Sequence, residues 1–153
     1  MSFFTKTSER VSSNTDEAVN QRIELETRLR IQMAAENGPQ AIDQRLAVLD
    51  REWDIERCLE TGASSLSLFG IALGSAVNKK WFILPAAVTG FLLQHAIQGW
   101  CPPLAVLRRL GVRTADEINR ERYALKALRG DFRGVDSTTT GDSVSRAFSN
   151  VHH

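Results

Sequence analysis

Two long stretches of this chain contain no Asp, Glu, Lys or Arg, and they constrain the fold more than any other feature. Residues 61–78 and 81–107 lack Asp, Glu, Lys and Arg, although 24% of the 153 residues are charged. The hydrocarbon core of a bilayer is about 30 Å thick and a helix rises about 1.5 Å per residue, so about 20 residues cross it. The sequence therefore predicts two transmembrane helices, Leu59–Asn78 and Trp81–Trp100, joined by a turn of two lysines.

The shortness of this turn determines how the two helices are arranged. A turn of two residues requires antiparallel helices that lie side by side. The predicted fold class is all-α: a membrane helical hairpin of two transmembrane helices, with amphipathic cytoplasmic helices on both sides. Four serines or threonines precede Phe69 in the first span, so the second span supplies most of the insertion energy. A soluble helical hairpin is the alternative interpretation.

Arginines flank the hairpin on the side opposite its turn. Arg45, Arg51 and Arg57 precede the first span, and five arginines follow the second. Because positively charged segments stay in the cytoplasm, both termini are predicted to be cytoplasmic and the lysine turn to lie outside.

Caps, stop signals and composition divide the chain into five predicted segments. The first helix is expected to end at the stop signal around Gly38, and the next one to begin at Pro39 and run without a break into the membrane. The segments are a disordered tail (1–15), cytoplasmic helices (16–58), the transmembrane hairpin (59–101), amphipathic basic juxtamembrane helices (102–132) and a second disordered tail (133–153).

Two local patterns lie in the predicted cytoplasmic helices. Ile42, Leu46, Leu49 and Trp53 recur at helical spacing and predict a narrow packing seam. Residues 114–117 read Thr-Ala-Asp-Glu, which predicts a capping box that opens the last helix.

The charge is divided by sign between the two ends of the chain. The first 60 residues carry a net charge of −4, and residues 108–153 carry +3. Each Lys or Arg near anionic headgroups contributes about 1 kcal/mol to membrane binding, so anionic lipid is the predicted partner of the basic end. Nucleic acid is not predicted, because the basic C-terminal helix contains no interleaved aromatic residue apart from Tyr123. The candidate headgroup ligands are Arg108, Arg109, Arg113, Arg120, Arg122, Lys126 and Arg129.

Pairs of small residues four apart occur in both predicted spans. Gly70 and Gly74 form such a step in the first span, and Ala86 and Gly90 form one in the second. Helices associate in lipid by close packing at grooves of this kind. One groove is expected to serve the hairpin and the other a second copy of the chain, although packing within one hairpin would explain both.

The polar residues of the spans are expected to cluster by depth. If residues equally far from the lysine turn lie level, Ser64 and Ser65 lie beside Gln94 and His95, and Gln98 lies beside a threonine of the first span. Hydrogen bonds between the helices are the simplest role for this cluster. A proton relay or ligand site at the histidine is the alternative, although no carboxylate is expected beside it.

The same rule places Cys58 level with Cys101 at the cytoplasmic interface. A thiol pair at this position could handle sulfur, bind a soft metal or respond to redox conditions, with Arg57 and Arg108 favouring the thiolate. Two sulfurs without further ligands make a poor zinc site, so no metal or other cofactor is predicted. The alternative is that both cysteines are small buried side chains without a chemical role.

Residues 99–103, Gly-Trp-Cys-Pro-Pro, follow a charge-poor helical hairpin and precede a short apolar and basic segment. Together with residues 51–57 and 122–132, this pattern resembles the YgaP-like transmembrane domain family, a small bacterial inner-membrane module. The resemblance implies a bacterial inner-membrane location and inward-facing termini. It implies no sulfurtransferase activity, because the rhodanese domain that is fused to the module elsewhere has no counterpart in this sequence.

The functional prediction is a non-enzymatic inner-membrane anchor or interaction protein. We expect self-association and an unidentified protein partner that binds through residues 16–58. No catalytic motif or phosphate loop appears in the sequence. The alternatives are a thiol-dependent accessory in sulfur or redox handling that uses Cys58 and Cys101, and a subunit of an oligomeric channel or transporter, since two helices cannot enclose a pore.

Overall fold

A computed structural model describes residues 9–133, and within this range the chain forms seven α-helices and no strand. The all-α prediction is confirmed. A short 3-10 turn, Lys79–Phe82, precedes the fifth helix. The helices are α1 (Arg10–Ser13), α2 (Glu17–Glu36), α3 (Pro39–Leu49), α4 (Ile55–Ala76), α5 (Ile83–Gln98), α6 (Pro102–Arg109) and α7 (Ala115–Arg129).

The described residues belong to two compact units. The hairpin unit contains residues 9–26 and 52–118, and the helical unit contains residues 27–51 and 119–133. The hairpin unit includes helices α1, α4, α5 and α6, and the helical unit includes α3. Helices α2 and α7 are divided between the units, after Glu26 and after Ile118 respectively.

Several helix ends lie where the sequence predicts them, because local chemistry specifies them. Gly38 has φ of +86° and separates α2 from α3, a conformation that glycine adopts without strain. At the start of α7, the backbone N–H of Glu117 donates to Thr114 Oγ1 (3.2 Å), and the N–H of Thr114 donates to Glu117 Oε2 (2.8 Å). The predicted capping box is confirmed.

The predicted continuous helix from Pro39 into the membrane is wrong. Helix α3 ends at Leu49 and α4 begins at Ile55. Asp54 starts α4, because its carboxylate accepts a hydrogen bond from the N–H of Arg57 (2.8 Å) and so satisfies a donor of the first turn. An aspartate cap can begin a helix where no glycine or proline is present. The absence of Gly and Pro between Pro39 and Gly62 therefore did not exclude a break at this point.

The predicted packing seam is confirmed for its first three members. Ile42, Leu46 and Leu49 are buried in the helical unit. Trp53 lies beyond the end of α3 in the hairpin unit, where the guanidinium of Arg57 lies over its ring at 4.3 Å from the centroid. The change of partner follows from the break after Leu49.

Part of the predicted N-terminal tail is ordered. Residues 10–13 form α1, and Val11 is buried in the core of the hairpin unit with Ile55, Leu59, Cys101 and Leu104. The expectation of a disordered tail over residues 1–15 is therefore wrong for this part, because a single apolar side chain in a polar segment carries no periodicity. Residues 1–8, and the predicted C-terminal tail after Arg133, lie outside the described residues.

Helices α4 and α5 pack side by side as a hairpin, and the Gly70–Gly74 step lies between them. A Cβ atom built on Gly70 would lie 2.6 Å from Cδ of Pro85, and one built on Gly74 would lie 3.0 Å from the ring of Phe82. No atom lies within 4 Å of a Cβ built on Gly90. The first groove is thus filled by the same chain, while the Ala86–Gly90 face stays open.

One helical segment among the described residues is long and apolar enough to cross a membrane. It is Lys79–Gln98, which has 20 residues and a mean hydropathy of 1.2. Length and composition alone define this candidate, and α4 does not meet the same criterion. Only 6% of the most apolar stretch of Lys79–Gln98 is buried within the protein.

Candidate functional site

An apolar cavity of about 610 Å³ lies between α4, α5 and α6. Helix α4 contributes residues from Cys58 to Leu66, α5 contributes residues from Leu84 to Leu92, and α6 closes a third side. Cys101, directly before α6, also lines the cavity. No charged side chain lies in the lining, so the cavity suits an apolar ligand.

The two cysteines, which we expected to lie level, line this same cavity. Both are free thiols. Cys101 is 3% exposed, and its burial raises the pKa of the thiol, with the charge of Glu56 acting in the same direction. The arginines expected to favour the thiolate have other partners, because Arg108 binds Glu117 and Arg57 lies over a tryptophan ring. The environment of Cys101 therefore favours the protonated thiol.

A labelling experiment tests this state of Cys101. In a Cys58→Ser variant, we expect the rate at which iodoacetamide modifies Cys101 to reach half of its maximum at a pH above the usual thiol pKa of about 8.5, because the thiolate is the reactive form. The half-exposed Cys58 in a Cys101→Ser variant is the accessibility control. The rate of labelling is measured between neutral and alkaline pH by intact mass. Labelling of Cys101 at neutral pH as fast as that of Cys58 would contradict the raised pKa.

A polar cluster formed by α1, α4 and α5 surrounds His95. The imidazole is 3% exposed, and its Nε2 lies 2.9 Å from Oε2 of Glu56. Arg10 Nη2 lies 3.7 Å from Oε1 of the same carboxylate, and Arg10 Nη1 donates to the carbonyl of Ala96 (2.9 Å). The carbonyl of Ala96 belongs to the last turn of α5, where backbone acceptors have no partner within the helix.

The predicted partners of His95 are wrong. Ser64, Ser65 and Gln98 have exposed side chains and Gln94 is half-buried, whereas the carboxylate we did not expect beside the histidine is present as Glu56. The error lies in the register: counting equally from the lysine turn ignores the 3-10 turn, and the observed contacts pair Gly70 with Pro85 and Glu56 with His95. The charge pattern offered one signal, because Glu56 lies three residues before the predicted start of the first span; Arg10, 49 residues before that start, offered none.

Arg108 is the most buried of the predicted headgroup ligands, with 1% of its side chain exposed. Its guanidinium donates to both carboxylate oxygens of Glu117 (2.7 and 2.8 Å), to Asn20 Oδ1 (2.9 Å), to Thr15 Oγ1 (3.2 Å) and to the carbonyl of Val112 (3.1 Å). These bonds use all five N–H donors. Arg108 therefore holds α2, α6 and α7 together and does not reach a lipid headgroup.

Other members of the predicted lipid-binding set are also bound to carboxylates. Arg113, 2% exposed, donates to both oxygens of Glu52 at 2.7 Å in the hairpin unit. The basic end of the chain thus pairs with the acidic end, and the prediction of headgroup contacts is wrong for these side chains. In the helical unit Arg122 pairs with Asp50 (3.1 Å), and Arg129 pairs with Asp43 (2.6 Å) and Asp131 (2.5 Å). Lys126 is buried in the same unit. The exposed members of the predicted set are Arg109 and Arg120.

Glu121 forms a second buried charge network, in the helical unit. Its carboxylate is fully buried, and Arg45 donates to Oε1 (2.6 Å) and to Oε2 (3.2 Å). Arg30 Nε lies 3.7 Å from Oε2. Removal of one partner from such a network leaves an uncompensated buried charge, so the cluster has a structural role and α3 is attached to α7 through it.

The comparisons with known proteins give no indication of function. The resemblance of residues 99–103 to the YgaP-like transmembrane domain family stays a prediction. No family model, no curated protein and no solved structure matches this chain.

Proposed function

We propose that this protein is a non-enzymatic anchor of the bacterial inner membrane: the α4–α5 hairpin lies in the bilayer, and the ion-paired helices form an interaction module in the cytoplasm. The observation that carries the proposal is the exposure of large apolar side chains on the hairpin. Soluble proteins rarely expose large continuous apolar surfaces, because water disfavours them. The most exposed of these side chains are Leu68 (68%), Val77 (70%), Ile83 (76%), Leu93 (61%) and Ile97 (64%).

The hairpin has further properties that suit lipid. A helix satisfies its own backbone hydrogen bonds, which a bilayer requires. The close contact at Gly70 and Gly74 is the kind of packing that joins helices where no hydrophobic force acts between them. Trp81 and Trp100 lie near the two ends of the second predicted span and are 43% and 38% exposed, as indole at both interfaces requires.

Helix α2 supports the proposal of a protein partner. Leu25, Leu29 and Met33 recur every four residues and are 59%, 49% and 54% exposed. They form an apolar stripe along one face of the helix, and residues 16–58 contain it entirely. An amphipathic helix with an uncovered apolar face is a usual docking element for another helix.

Membrane extraction with a matched pair of variants tests the anchor. After washing of membranes at alkaline pH, the wild-type chain is expected in the pellet. Leu93→Arg is expected to move a large fraction to the supernatant, because an arginine within a span costs up to about 3 kcal/mol. Leu128→Arg is the control: Leu128 is 54% exposed, on α7 outside the hairpin, and its replacement is expected to change nothing. Release of the wild-type chain by the wash would refute the anchor.

Intact cells that carry the protein test its orientation. In a chain with Cys58 and Cys101 replaced by serine, a membrane-impermeant thiol reagent added to intact cells is expected to modify Asn78→Cys and to spare Leu128→Cys. Modification of Leu128→Cys from outside would overturn the cytoplasmic placement of α7.

A thiol-dependent accessory in sulfur or redox handling is the second candidate. Its support is the placement of Cys58 and Cys101 on one cavity. The raised pKa of the Cys101 thiol disfavours it, because a reactive cysteine needs a stabilised thiolate. The labelling experiment on Cys101 separates the two candidates.

A further inference from the structure

The cavity between α4, α5 and α6 has the size of a ligand pocket. Its volume of about 610 Å³ falls within the range of about 300–1,000 Å³ for small-molecule sites. Small residues leave this space open: no atom lies within 4 Å of a Cβ built on Gly62, which lines the cavity with Ala63 and Ala87. Side chains of ordinary size at these positions would fill it.

The length of the cavity matches one leaflet of a membrane. Its lining on α4 runs from Cys58 to Leu66, which at about 1.5 Å per residue is about 12 Å. Half of the hydrocarbon core is about 15 Å. In the proposed orientation the cavity therefore extends from the cytoplasmic interface toward the middle of the bilayer.

The cavity is continuous with the surface that would face lipid. Leu66 and Phe91 line it and are also 45% and 46% exposed, so the cavity opens sideways between the helices. A buried water needs two to four polar partners, and the lining offers only the two thiols as side-chain donors. An apolar occupant is favoured over water.

The extent of the cavity separates the possible apolar occupants. Its lining on α4 ends at Leu66, and at Gly70 and Gly74 helices α4 and α5 contact each other through Pro85 and Phe82. A membrane-spanning helix of a second copy, about 30 Å long, would therefore extend well beyond the cavity, whereas an alkyl chain confined to one leaflet matches its length of about 12 Å.

From these observations we propose that the cavity binds one acyl chain of a membrane phospholipid. The proposal rests on the membrane placement of the hairpin argued above. The bound chain would lie along Gly62 and Leu66 of α4 and Leu84 and Val88 of α5, and would replace the missing side-chain volume in the packing of α6.

Photolabelling in vesicles tests this proposal. The full chain is reconstituted in vesicles of phosphatidylethanolamine and phosphatidylglycerol that contain a phospholipid with a diazirine in its acyl chain. After illumination, label is expected on the cavity segments 58–66 and 84–92. Gly62→Phe is expected to lower this label about tenfold, because its ring occupies the space of several methylene groups. Ala87→Phe fills the cavity from α5 and is expected to act in the same way.

Gly90→Phe is the matched control. No atom lies within 4 Å of a Cβ on Gly90, and Gly90 does not line the cavity, so its replacement adds the same ring outside the site. We expect its label to equal that of wild type. Equal labelling of all variants, or label spread evenly over the hairpin surface, would overturn the acyl-chain site.

Two further measurements separate the possible failures. If the reconstituted chain stays with the vesicles after an alkaline wash but shows no selective label, the cavity proposal alone fails. If the wash releases the chain, the anchor fails and the acyl-chain site fails with it. A fatty acid that carries the same diazirine, used at the same mole fraction as the phospholipid, separates the two sources of an acyl chain. Stronger labelling of the cavity segments by the fatty acid than by the phospholipid would identify a free fatty acid as the occupant and would overturn the proposal.

Discussion

Replacement of Arg108 by leucine is expected to lower the free energy of unfolding by about 3–5 kcal/mol, the usual effect of breaking a buried ion pair. The guanidinium is 1% exposed and donates to both carboxylate oxygens of Glu117, to Asn20 and to Thr15. Leucine removes all five donors and leaves Glu117, only 19% exposed, as a largely buried negative charge. The loss is measured by denaturant unfolding of the full chain in mild detergent.

The neighbouring arginine provides the control. Arg109 is exposed, and Arg109→Leu removes the same charge from the same helix. Exposed substitutions usually change stability by less than about 0.5 kcal/mol. Equal effects of the two replacements would show that net charge, rather than the buried network, stabilises the unit.

The pH dependence of stability gives the same prediction a second readout. Burial alone would raise the pKa of Glu117, but hydrogen bonds from Arg108 and Thr114 outweigh it, and the pKa is lowered. A lowered folded pKa contributes stability that is present above the unfolded value of about 4.3 and is lost as the pH falls through the folded value. In Arg108→Leu, burial dominates and this acid-side loss is expected to shrink or reverse. An unchanged acid limb would contradict the pairing.

Replacement of Gly70 by leucine is expected to open the hairpin. A Cβ at this position lies 2.6 Å from Cδ of Pro85, and the proline ring cannot rotate away. Overpacking of this kind costs about 1–3 kcal/mol, and more where the backbone must move. The measurement is unfolding of the helices by a denaturing detergent, followed by circular dichroism, and the midpoint is expected to fall clearly.

Gly90→Leu is the control for hairpin packing, because it adds the same side chain in open space. We expect it to leave the unfolding midpoint near that of wild type.

The variants Gly70→Leu and Gly90→Leu together also distinguish intramolecular packing from self-association. If the open Ala86–Gly90 face contacts a second copy, Gly90→Leu lowers the mass in mild detergent while Gly70→Leu acts on the hairpin itself. If Gly70→Leu lowers the mass in mild detergent but leaves the unfolding midpoint unchanged, the Gly70–Gly74 groove contacts a second copy of the chain rather than α5 of the same chain.

Elements whose causes lie within a few residues were predictable. The start of α3 at Pro39, the capping box at Thr114 and the seam through Ile42 and Leu46 are each specified by local hydrogen bonds or helical periodicity. The break before α4 was missed because only its aspartate cap marks it. Helix α1 was missed because its one buried residue, Val11, contributes to a core built by distant segments.

The sequence by itself determined an all-helical chain with two long stretches free of Asp, Glu, Lys and Arg, because composition and the helical period are properties of neighbouring residues. The partners of ionisable groups were decided only by the tertiary structure. His95 meets Glu56 rather than Ser64, and Arg108 meets Glu117 rather than lipid. Such pairs depend on the register and rotation of packed helices, where a shift of one turn, about 5.4 Å, replaces every partner. Composition shows that acidic and basic ends exist, but only packing decides whether they bind a membrane or each other.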